Sequence, residues 1–287
     1  MLRRAHFVGA PFLYYIDMKH LVLLAILLVT AVTSFNLVSA TISVAEILPE
    51  APVSQLSSYY DFPNLSAEAY EVFDVATGEV IFAANENKEL PIASVTKLFT
   101  AAAVLNSAEA DKEILIDSVA VATEGRAGKL EIGQVYTPRE LLFPLLLESS
   151  NDAATAIAEV VQPINLADKT MADASGLSDR NVSTAAELAF EARKIYQTKP
   201  HIFDITTLKQ YVGEYTGWIN NSPVINLNGY KGGKHGYTEA ANHTLIAFFA
   251  EPGLNGREIG YVLLGSNDLL TDIKELRSIV ESSVPAK

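Results

Sequence analysis

The stretch Pro91-Ile-Ala-Ser-Val-Thr-Lys-Leu-Phe-Thr100 places a serine and a lysine three residues apart, Ser94 and Lys97, at the start of an apolar run. Residues with this spacing lie on one face of a helix, so the lysine amine can reach the serine hydroxyl. A serine becomes a good nucleophile when a neighbouring base removes its proton, and a buried lysine with a lowered pKa is such a base. The alternative is an ordinary helix with Ser94 as its N-cap. The rest of the chain has to distinguish the two.

Composition narrows the possible classes of protein. The chain has 287 residues, of which 49% are hydrophobic and 19% charged, as expected for a globular protein with one large or two small domains. The net charge of -13, with no basic stripe, argues against a nucleic-acid partner. The chain has no cysteine, which excludes disulfides and thiolate metal sites.

The N-terminal segment has the pattern of an export signal. Arg3, Arg4 and Lys19 precede an apolar run over residues 21–32, and no charged residue occurs between Lys19 and Glu46. A basic flank followed by an apolar segment is typical of a signal peptide or a signal anchor. We therefore expect an exported protein, either anchored in the cell membrane through this segment or released as a periplasmic or secreted form.

The chain divides by composition into three parts. Residues 1–45 are predicted to be the signal peptide or membrane anchor. Residues 46–66 contain several prolines and serines with weak periodicity and are predicted to be a linker. Residues 67–287 are predicted to be a single catalytic domain.

Within that domain, strand patterns lie at both ends and helix patterns in the middle. Alternation predicts a hairpin over residues 70–75 and 80–83, and a second hairpin around Asn220-Asn221. Pro138 is expected to open a helix over residues 139–148, and Thr184 to cap one that ends near residue 198. Further strands are predicted at 231–237, 244–250 and 259–265, and further helices at 94–106, 152–161 and 271–282. This order predicts an α+β fold, with an antiparallel sheet assembled from both chain ends, flanking helices and a helical subdomain.

Two further motifs follow Ser94 and Lys97. Ser-x-Asn occurs at Ser149 and Asn151, and Lys-x-Gly occurs at Lys234 and Gly236. The set S-x-x-K, S-x-N and K-x-G in this order occurs in penicillin-binding proteins and serine β-lactamases. Lys231 also begins a Lys-x-Gly match, but the Gly-Tyr-Thr sequence that includes Gly236 favours Lys234.

On these motifs the chain resembles the D-alanyl-D-alanine carboxypeptidases, low-molecular-weight penicillin-binding proteins of the serine β-lactamase/DD-peptidase superfamily. The resemblance covers about residues 67–282. The matching stretches are the strand–turn–strand at 70–83, Pro-Ile-Ala-Ser-Val-Thr-Lys at 91–97, Leu-Leu-Leu-Glu-Ser-Ser-Asn-Asp-Ala-Ala at 145–154, Ala-Ser-Gly-Leu at 174–177, and Gly-Lys-His-Gly-Tyr-Thr at 233–238.

The resemblance implies a role for each matching residue. It implies that Ser94 is the acylated nucleophile, Lys97 the general base and Ser149 the relay of a proton to the leaving amine. It also implies a substrate-binding set made of Asn151, Lys234, His235, Gly236 and Tyr237. Within that set, Asn151 would bind the substrate amide, Lys234 its terminal carboxylate, and the backbone N–H groups of Ser94 and Tyr237 would form the oxyanion hole. Neither a metal nor a cofactor is implied.

His235 departs from the family pattern, which has Thr or Ser at this position. A hydroxyl there would bind the substrate carboxylate, and a histidine can donate instead through a ring nitrogen. The histidine is bulkier and narrows the site. The substitution therefore leaves two possibilities, retained activity with a changed pH profile or affinity, and impairment.

The expected function is that of a serine-type D-Ala-D-Ala carboxypeptidase acting on peptidoglycan stem peptides during cell-wall synthesis, with penicillins acylating the same serine. One alternative is a DD-endopeptidase, which would share all three motifs. Another is an impaired cell-wall-binding or sensor domain, motivated by His235. A β-lactamase is disfavoured, because no E-x-x-L-N loop lies between Asn151 and Lys234.

Overall fold

The computed structural model describes residues 65–125 and 129–285, all of which belong to one compact unit, Pro63–Lys287. The predicted export segment at 1–45 and nearly all of the predicted linker at 46–66 lie outside the described residues. At the start of the described chain, Ser66 is tied to the last helix, because its N–H and hydroxyl each donate to Asp272 at 2.8 Å. In the part of the chain that the structure covers, no helix is both long and apolar enough to cross a bilayer.

A five-stranded antiparallel sheet forms the centre of the molecule. Its strands are β1 (Ala69–Asp74), β2 (Val80–Ala84), β11 (Tyr230–Thr238), β12 (Asn242–Glu251) and β13 (Arg257–Ser266). Their order in the sheet is β11-β12-β13-β1-β2, so strands from the two ends of the chain pair directly, as β1 does with β13. The predicted α+β fold with a sheet built from both chain ends is confirmed.

Both faces of this sheet are buried, and each carries its own apolar core. Alternate strand residues point to opposite faces. Phe73 and Phe248 face most of the helices, whereas Phe249 and Tyr261 face the closing helix, which is the last helix of the described chain, Leu269–Ser283. The α-helices of the described residues are α1 (Thr96–Asn106), α2 (Ser118–Val121), α3 (Leu142–Leu147), α4 (Asn151–Ala158), α5 (Ala185–Thr198), α6 (Pro200–Thr207) and α7 (Leu269–Ser283).

Within residues 65–125 and 129–285, four short strand pairs lie between the helices. They are β3 (Leu90–Pro91) with β8 (Val182–Ser183), β4 (Ile114–Leu115) with β5 (Val135–Tyr136), β6 (Asn165–Leu166) with β7 (Lys169–Thr170), and β9 (Gln210–Val212) with β10 (Gly217–Ile219). The pair β3–β8 lies immediately before Ser94 and α1. It therefore fixes where the serine–lysine helix begins.

The helix predicted after Pro138 begins later than expected. Pro138 lies in a turn that precedes α3, where Leu142 N–H donates to Arg139 O at 3.2 Å and Phe143 N–H to Glu140 O at 3.2 Å. Both bonds span three residues, whereas Leu141 N–H donates to Thr137 O at 3.1 Å across four, so the segment is a mixed turn and not yet a regular α-helix. The helix itself starts at Leu142 and ends at Leu147. By contrast, the predicted cap at Thr184 is confirmed, because its hydroxyl accepts from Glu187 N–H at 3.0 Å.

The hairpin predicted around Asn220-Asn221 turns at a different place. Gly213 N–H donates to Thr216 O at 2.8 Å and closes the turn between β9 and β10. The side chain of Asn220 instead donates to the carbonyls of Thr206 and Leu208. Asparagine favours turns because its side chain can bond nearby backbone groups, and here that capacity links neighbouring segments. The sequence also gave no prediction of α6.

Candidate active site

Ser94 lies in a tight helical turn at the entrance to α1. The turn is a 3-10 helix, Ala93–Val95, that continues directly into α1. Ile92 N–H donates to Asn181 O at 3.0 Å, which holds the chain just before the turn. Ala93 has a φ of 47°, in the left-handed region that costs a residue with a side chain about 1–3 kcal/mol. Backbone strain of this kind clusters at functional sites, and here it adjoins the candidate nucleophile.

The amine of Lys97 is completely buried and contacts three oxygen atoms. Its Nζ lies 2.9 Å from Ser94 Oγ, 2.8 Å from Asn151 Oδ1 and 2.6 Å from Ser175 O. A neutral amine has two N–H groups and one lone pair. The amide and carbonyl oxygens only accept hydrogen bonds, so they take the two N–H groups. The lone pair then faces Ser94, as a base that accepts the serine proton requires.

The surroundings of Lys97 favour its neutral form. Burial lowers the pKa of Lys97 well below its ordinary value, and the positive charge of Lys234 lowers it further. Asp173 and Asp152 raise the pKa of Lys97, but their effect is the smaller one. A buried cation without a paired carboxylate releases its proton more readily than one in water.

Ser149 occupies the turn between α3 and α4, with a φ of 61°. It is the second residue with a left-handed backbone at the site. The next residue, Ser150, caps α4 by accepting from Ala153 N–H at 2.9 Å. Asn151 follows, and its Nδ2 donates to Glu124 O at 3.0 Å, which directs its Oδ1 towards Lys97. The strained turn and the capped helix together position the hydroxyl and the amide of the second motif.

Strand β11 passes beside the amide of Ser94. A Cβ placed on Gly236 would lie 2.5 Å from Ser94 N, so only glycine allows this approach. Lys234 is 2% exposed and its Nζ donates to His235 O at 2.5 Å. Tyr237 is 56% exposed and its ring lies 4.8 Å from that of His243. Lys231, the competing candidate for the third motif, is exposed.

A cavity of about 200 Å³ joins these elements. Six of the eight predicted site residues line it: Ser94, Ser149, Asn151, His235, Gly236 and Tyr237. The other two, Lys97 and Lys234, are buried in the surrounding wall. A larger cavity of about 400 Å³ lies between α1 and α5 and contains none of the predicted site residues. Cavity size alone would therefore have pointed away from the chemistry.

The structure adds groups that the sequence did not single out. The carbonyl of Ser175 is the third acceptor of Lys97, and Leu177 lines the cavity. Asn221 also lines it, and its Nδ2 donates to Glu148 O at 3.0 Å, just before the Ser149 turn. A backbone carbonyl has no side-chain signature. The only sequence signal for Ser175 was the Ala-Ser-Gly-Leu stretch.

The geometry fits acyl transfer. A serine hydroxyl faces a buried amine, a second serine hydroxyl lines the same cavity, and a strand edge lies against the backbone amide of the first serine. Acyl transfer needs an activated nucleophile, a path for a proton to the leaving group, and fixed N–H donors for the tetrahedral oxygen. The described residues supply candidates for each of these parts.

Comparison with known proteins gives one family. Residues 57–266 match the family model described as D-alanyl-D-alanine carboxypeptidase. A curated relative, the D-alanyl-D-alanine endopeptidase of Pseudomonas aeruginosa, is 27% identical over 210 residues, which is 64% of this chain and 67% of that protein.

Solved structures share the fold, and two of them illustrate the similarity. The D-alanyl-D-alanine carboxypeptidase of Mycobacterium tuberculosis superposes with a TM-score of 0.70 at 24% identity, covering 78% of this chain and 94% of that one. Penicillin-binding protein D2 of Listeria monocytogenes, in its cefotaxime-bound form, gives a TM-score of 0.62 at 22% identity, with coverage of 76% and 98%.

Proposed function

The chain belongs to the D-alanyl-D-alanine carboxypeptidase family, and on that premise we propose that it is a serine hydrolase that removes the terminal D-alanine from peptidoglycan stem peptides through an acyl-enzyme on Ser94. Ser94 Oγ forms a bond to the carbonyl carbon of the penultimate D-alanine, and the C–N bond to the last D-alanine breaks. Water then hydrolyses the ester and restores the serine.

The hydrogen bond between Lys97 and Ser94 carries this proposal. Lys97 takes the proton of the serine hydroxyl as the oxygen attacks. Because its remaining N–H groups are held by Asn151 Oδ1 and Ser175 O, the amine needs no reorientation to accept that proton. Ser149, which lines the same cavity as Ser94, passes a proton to the departing amine of D-alanine.

The substrate's charged and polar groups are assigned to β11 and the Ser94 turn. The N–H groups of Ser94 and Tyr237 bind the oxyanion, and the close approach of Gly236 to Ser94 N supports this role. Lys234 attracts the terminal carboxylate, and a ring nitrogen of His235 donates to it where relatives have a hydroxyl. Asn151 contributes its second amide N–H to the substrate, since one N–H is used by Glu124 O.

A second function has specific support. A relative that matches this chain over 67% of its own length is named an endopeptidase, so cleavage of cross-linked stem peptides is the alternative reaction. Both reactions use the same acyl-enzyme. They differ in the leaving group, which is free D-alanine in one and a second stem peptide in the other.

The site operates outside the cytoplasm, where stem peptides are found, and residues 1–45 serve as the signal peptide or membrane anchor. A β-lactam presents a strained amide and a carboxylate, as the stem peptide terminus does. Penicillin-binding protein D2, which shares the fold, has been solved with ampicillin and with cefotaxime bound. We therefore expect penicillins to acylate Ser94.

Intact-mass measurement after incubation with a penicillin tests the proposal. The expected result is a covalent adduct on the wild type and on Ser118→Ala, an exposed serine of α2, and none on Ser94→Ala. An adduct that persists in Ser94→Ala, or no adduct on the wild type, overturns it. Release of D-alanine from a pentapeptide, against cleavage of a cross-linked dimer, then separates carboxypeptidase from endopeptidase.

A further inference from the structure

The loop between β7 and β8 is folded around one carboxylate, that of Asp173. Oδ1 of Asp173 accepts from Ser175 N–H at 2.7 Å, Ser175 Oγ–H at 2.7 Å and Gly176 N–H at 2.6 Å, and Oδ2 accepts from Ser178 N–H at 2.7 Å. A carboxylate that collects successive backbone N–H groups fixes the turn that carries them. The direction of the Ser175 carbonyl is set by this turn.

The same loop packs directly against the Ser94 turn. A Cβ on Gly176, which has a φ of 84°, would lie 1.9 Å from Ala93 O, so the two backbones are in contact. Thr100 Oγ donates to Ala174 O at 2.7 Å, which joins the loop to α1. The loop is thus bound on one side to the strained residue before the nucleophile and on the other to the helix that carries Lys97.

We propose that Asp173 is a positioning residue for the general base: its carboxylate holds the carbonyl of Ser175 where that oxygen accepts a hydrogen bond from Lys97. The inference rests on the proposed acyl-transfer function of this site. When Lys97 is neutral, Ser175 O and Asn151 Oδ1 hold its two N–H groups and leave the lone pair on Ser94. Loss of the Ser175 acceptor frees the amine to rotate, so the lone pair no longer faces the serine for most of the time.

The charge of Asp173 has a separate, measurable effect. The charged groups that act on Lys97 are Lys234 from β11, Asp152 from α4 and Asp173 from this loop. Burial tends to raise the pKa of Asp173, but the hydrogen bonds from Ser175, Ser178 and Gly176 lower it overall, so the group is ionised. A negative charge at this position favours the ammonium form of Lys97, and its removal lowers the pH at which Lys97 loses its proton.

The test compares Asp173→Asn and Asp173→Ala with the wild type. The matched control is Asp117→Asn, because Asp117 also accepts two backbone N–H groups, from Val119 and Ala120 at 2.9 Å, but at the start of α2. The acylation rate constant with a fluorescent penicillin is measured across pH, together with the melting temperature. The asparagine variant keeps one acceptor oxygen, so it remains informative where the alanine variant does not fold.

For Asp173→Asn we expect the plateau of the acylation rate to fall by about tenfold, since misplacement of a catalytic group by 1 Å costs up to about a hundredfold. We also expect the acidic limb of the pH–rate profile to move to lower pH. Asp117→Asn keeps the wild-type profile. An unchanged plateau, or a lower plateau with an unmoved acidic limb, overturns the proposal. NMR titration of the Lys97 amine measures the same change in the pH at which Lys97 loses its proton, without any acylation. If the proposed function itself is wrong, the wild type is not acylated, and the two failures are therefore distinguished.

Discussion

A largely or fully buried basic side chain lies on each side of the central sheet, and only one of the two is paired with a carboxylate. On the closing-helix side, Arg277 Nη2 lies 2.7 Å from the carboxylate of Glu251, which is fully buried. On the other side, the hydrogen-bond partners of Lys97 are neutral oxygen atoms. The positive charge of Lys234 also lies near enough to lower the pKa of Lys97.

The difference supports the proposal that Lys97, and not Arg277, acts as a base. Arg277 has a paired carboxylate and stacks on the ring of Phe249 at 4.0 Å. Burial raises the pKa of Tyr261, so its hydroxyl remains protonated and donates to Glu251 at 2.7 Å. This arrangement stabilises the fold, whereas the arrangement around Lys97 destabilises the ammonium form and makes the amine a base.

The largest effect is expected from Lys97→Arg. A guanidinium cannot lose its proton in a protein, so the substitution places a fixed charge where the account has a neutral amine, and it removes the base. We expect the rate of Ser94 acylation by penicillin to fall by about 10⁴-fold, the upper end of the contribution of general-base catalysis. Lys112→Arg, at a lysine 61% exposed, serves as the control. A Lys97→Arg enzyme within tenfold of the wild type would show that another group takes the proton.

The next effect concerns the other cation. Glu251→Gln leaves Arg277 without its carboxylate in a mostly buried position, and we expect a loss of about 3 kcal/mol in the free energy of unfolding. Urea denaturation measures this loss, with Glu68→Gln at the exposed pair with Lys88 as the control, for which at most about 1 kcal/mol is expected. The acylation rate per folded molecule should not change. If Glu251→Gln lowered the acylation rate and left stability unchanged, it would contradict the assignment of stability to the Arg277 side of the sheet and of acylation to the Lys97 side.

Glu71 extends the comparison to a buried group whose ionised form is negatively charged. Burial, together with the neighbouring Glu86, raises the pKa of Glu71 to about 7. A folded pKa above the unfolded value means that the protonated carboxyl stabilises the fold, and that this stability is lost as the pH rises towards 7. Glu71→Gln, which stays neutral, should therefore raise stability at pH 8 by up to about 3 kcal/mol and leave it nearly unchanged at pH 4. A stability difference that is the same at both pH values would count against the raised pKa.

The smallest effect is expected at the strained turn of the site. Ser149 has a φ of 61°, which glycine adopts without strain, so Ser149→Gly should raise the free energy of unfolding by about 1 kcal/mol. The same change removes the proposed proton relay and should slow substrate turnover. Asn85→Gly, at a φ of 51° on the surface, is the control for stability without an effect on turnover. A Ser149→Gly protein that is less stable than the wild type would argue against stored strain.

The sequence predicted those parts of the site that side chains define. These parts are side-chain patterns that can be recognised in the sequence alone, namely the spacing of Ser94 and Lys97 and the motifs at Ser149 and Lys234. The alternation of the strands likewise predicted a sheet from both chain ends, because the period of two reports which face is buried.

Other parts had no such signal. Ser175 acts through its backbone carbonyl, and the role of Asp173 depends on backbone N–H groups that any residue can supply. Asn221 was interpreted as a turn residue because asparagine favours turns, whereas in the structure it bridges to Glu148 O. The late start of α3 depends on i→i−3 bonds after Pro138, a choice between two helical geometries that residue propensity does not resolve.

The central claim is that the amine of Lys97 is neutral and directs its lone pair at Ser94 in the resting protein. NMR titration of lysine amines, with Lys97 assigned by comparison with Lys97→Arg, measures its protonation directly. The account predicts that the Lys97 signal titrates well below the value of about 10.4 for free lysine, while exposed lysines titrate near it. A Lys97 amine that stays protonated up to that pH would contradict the account.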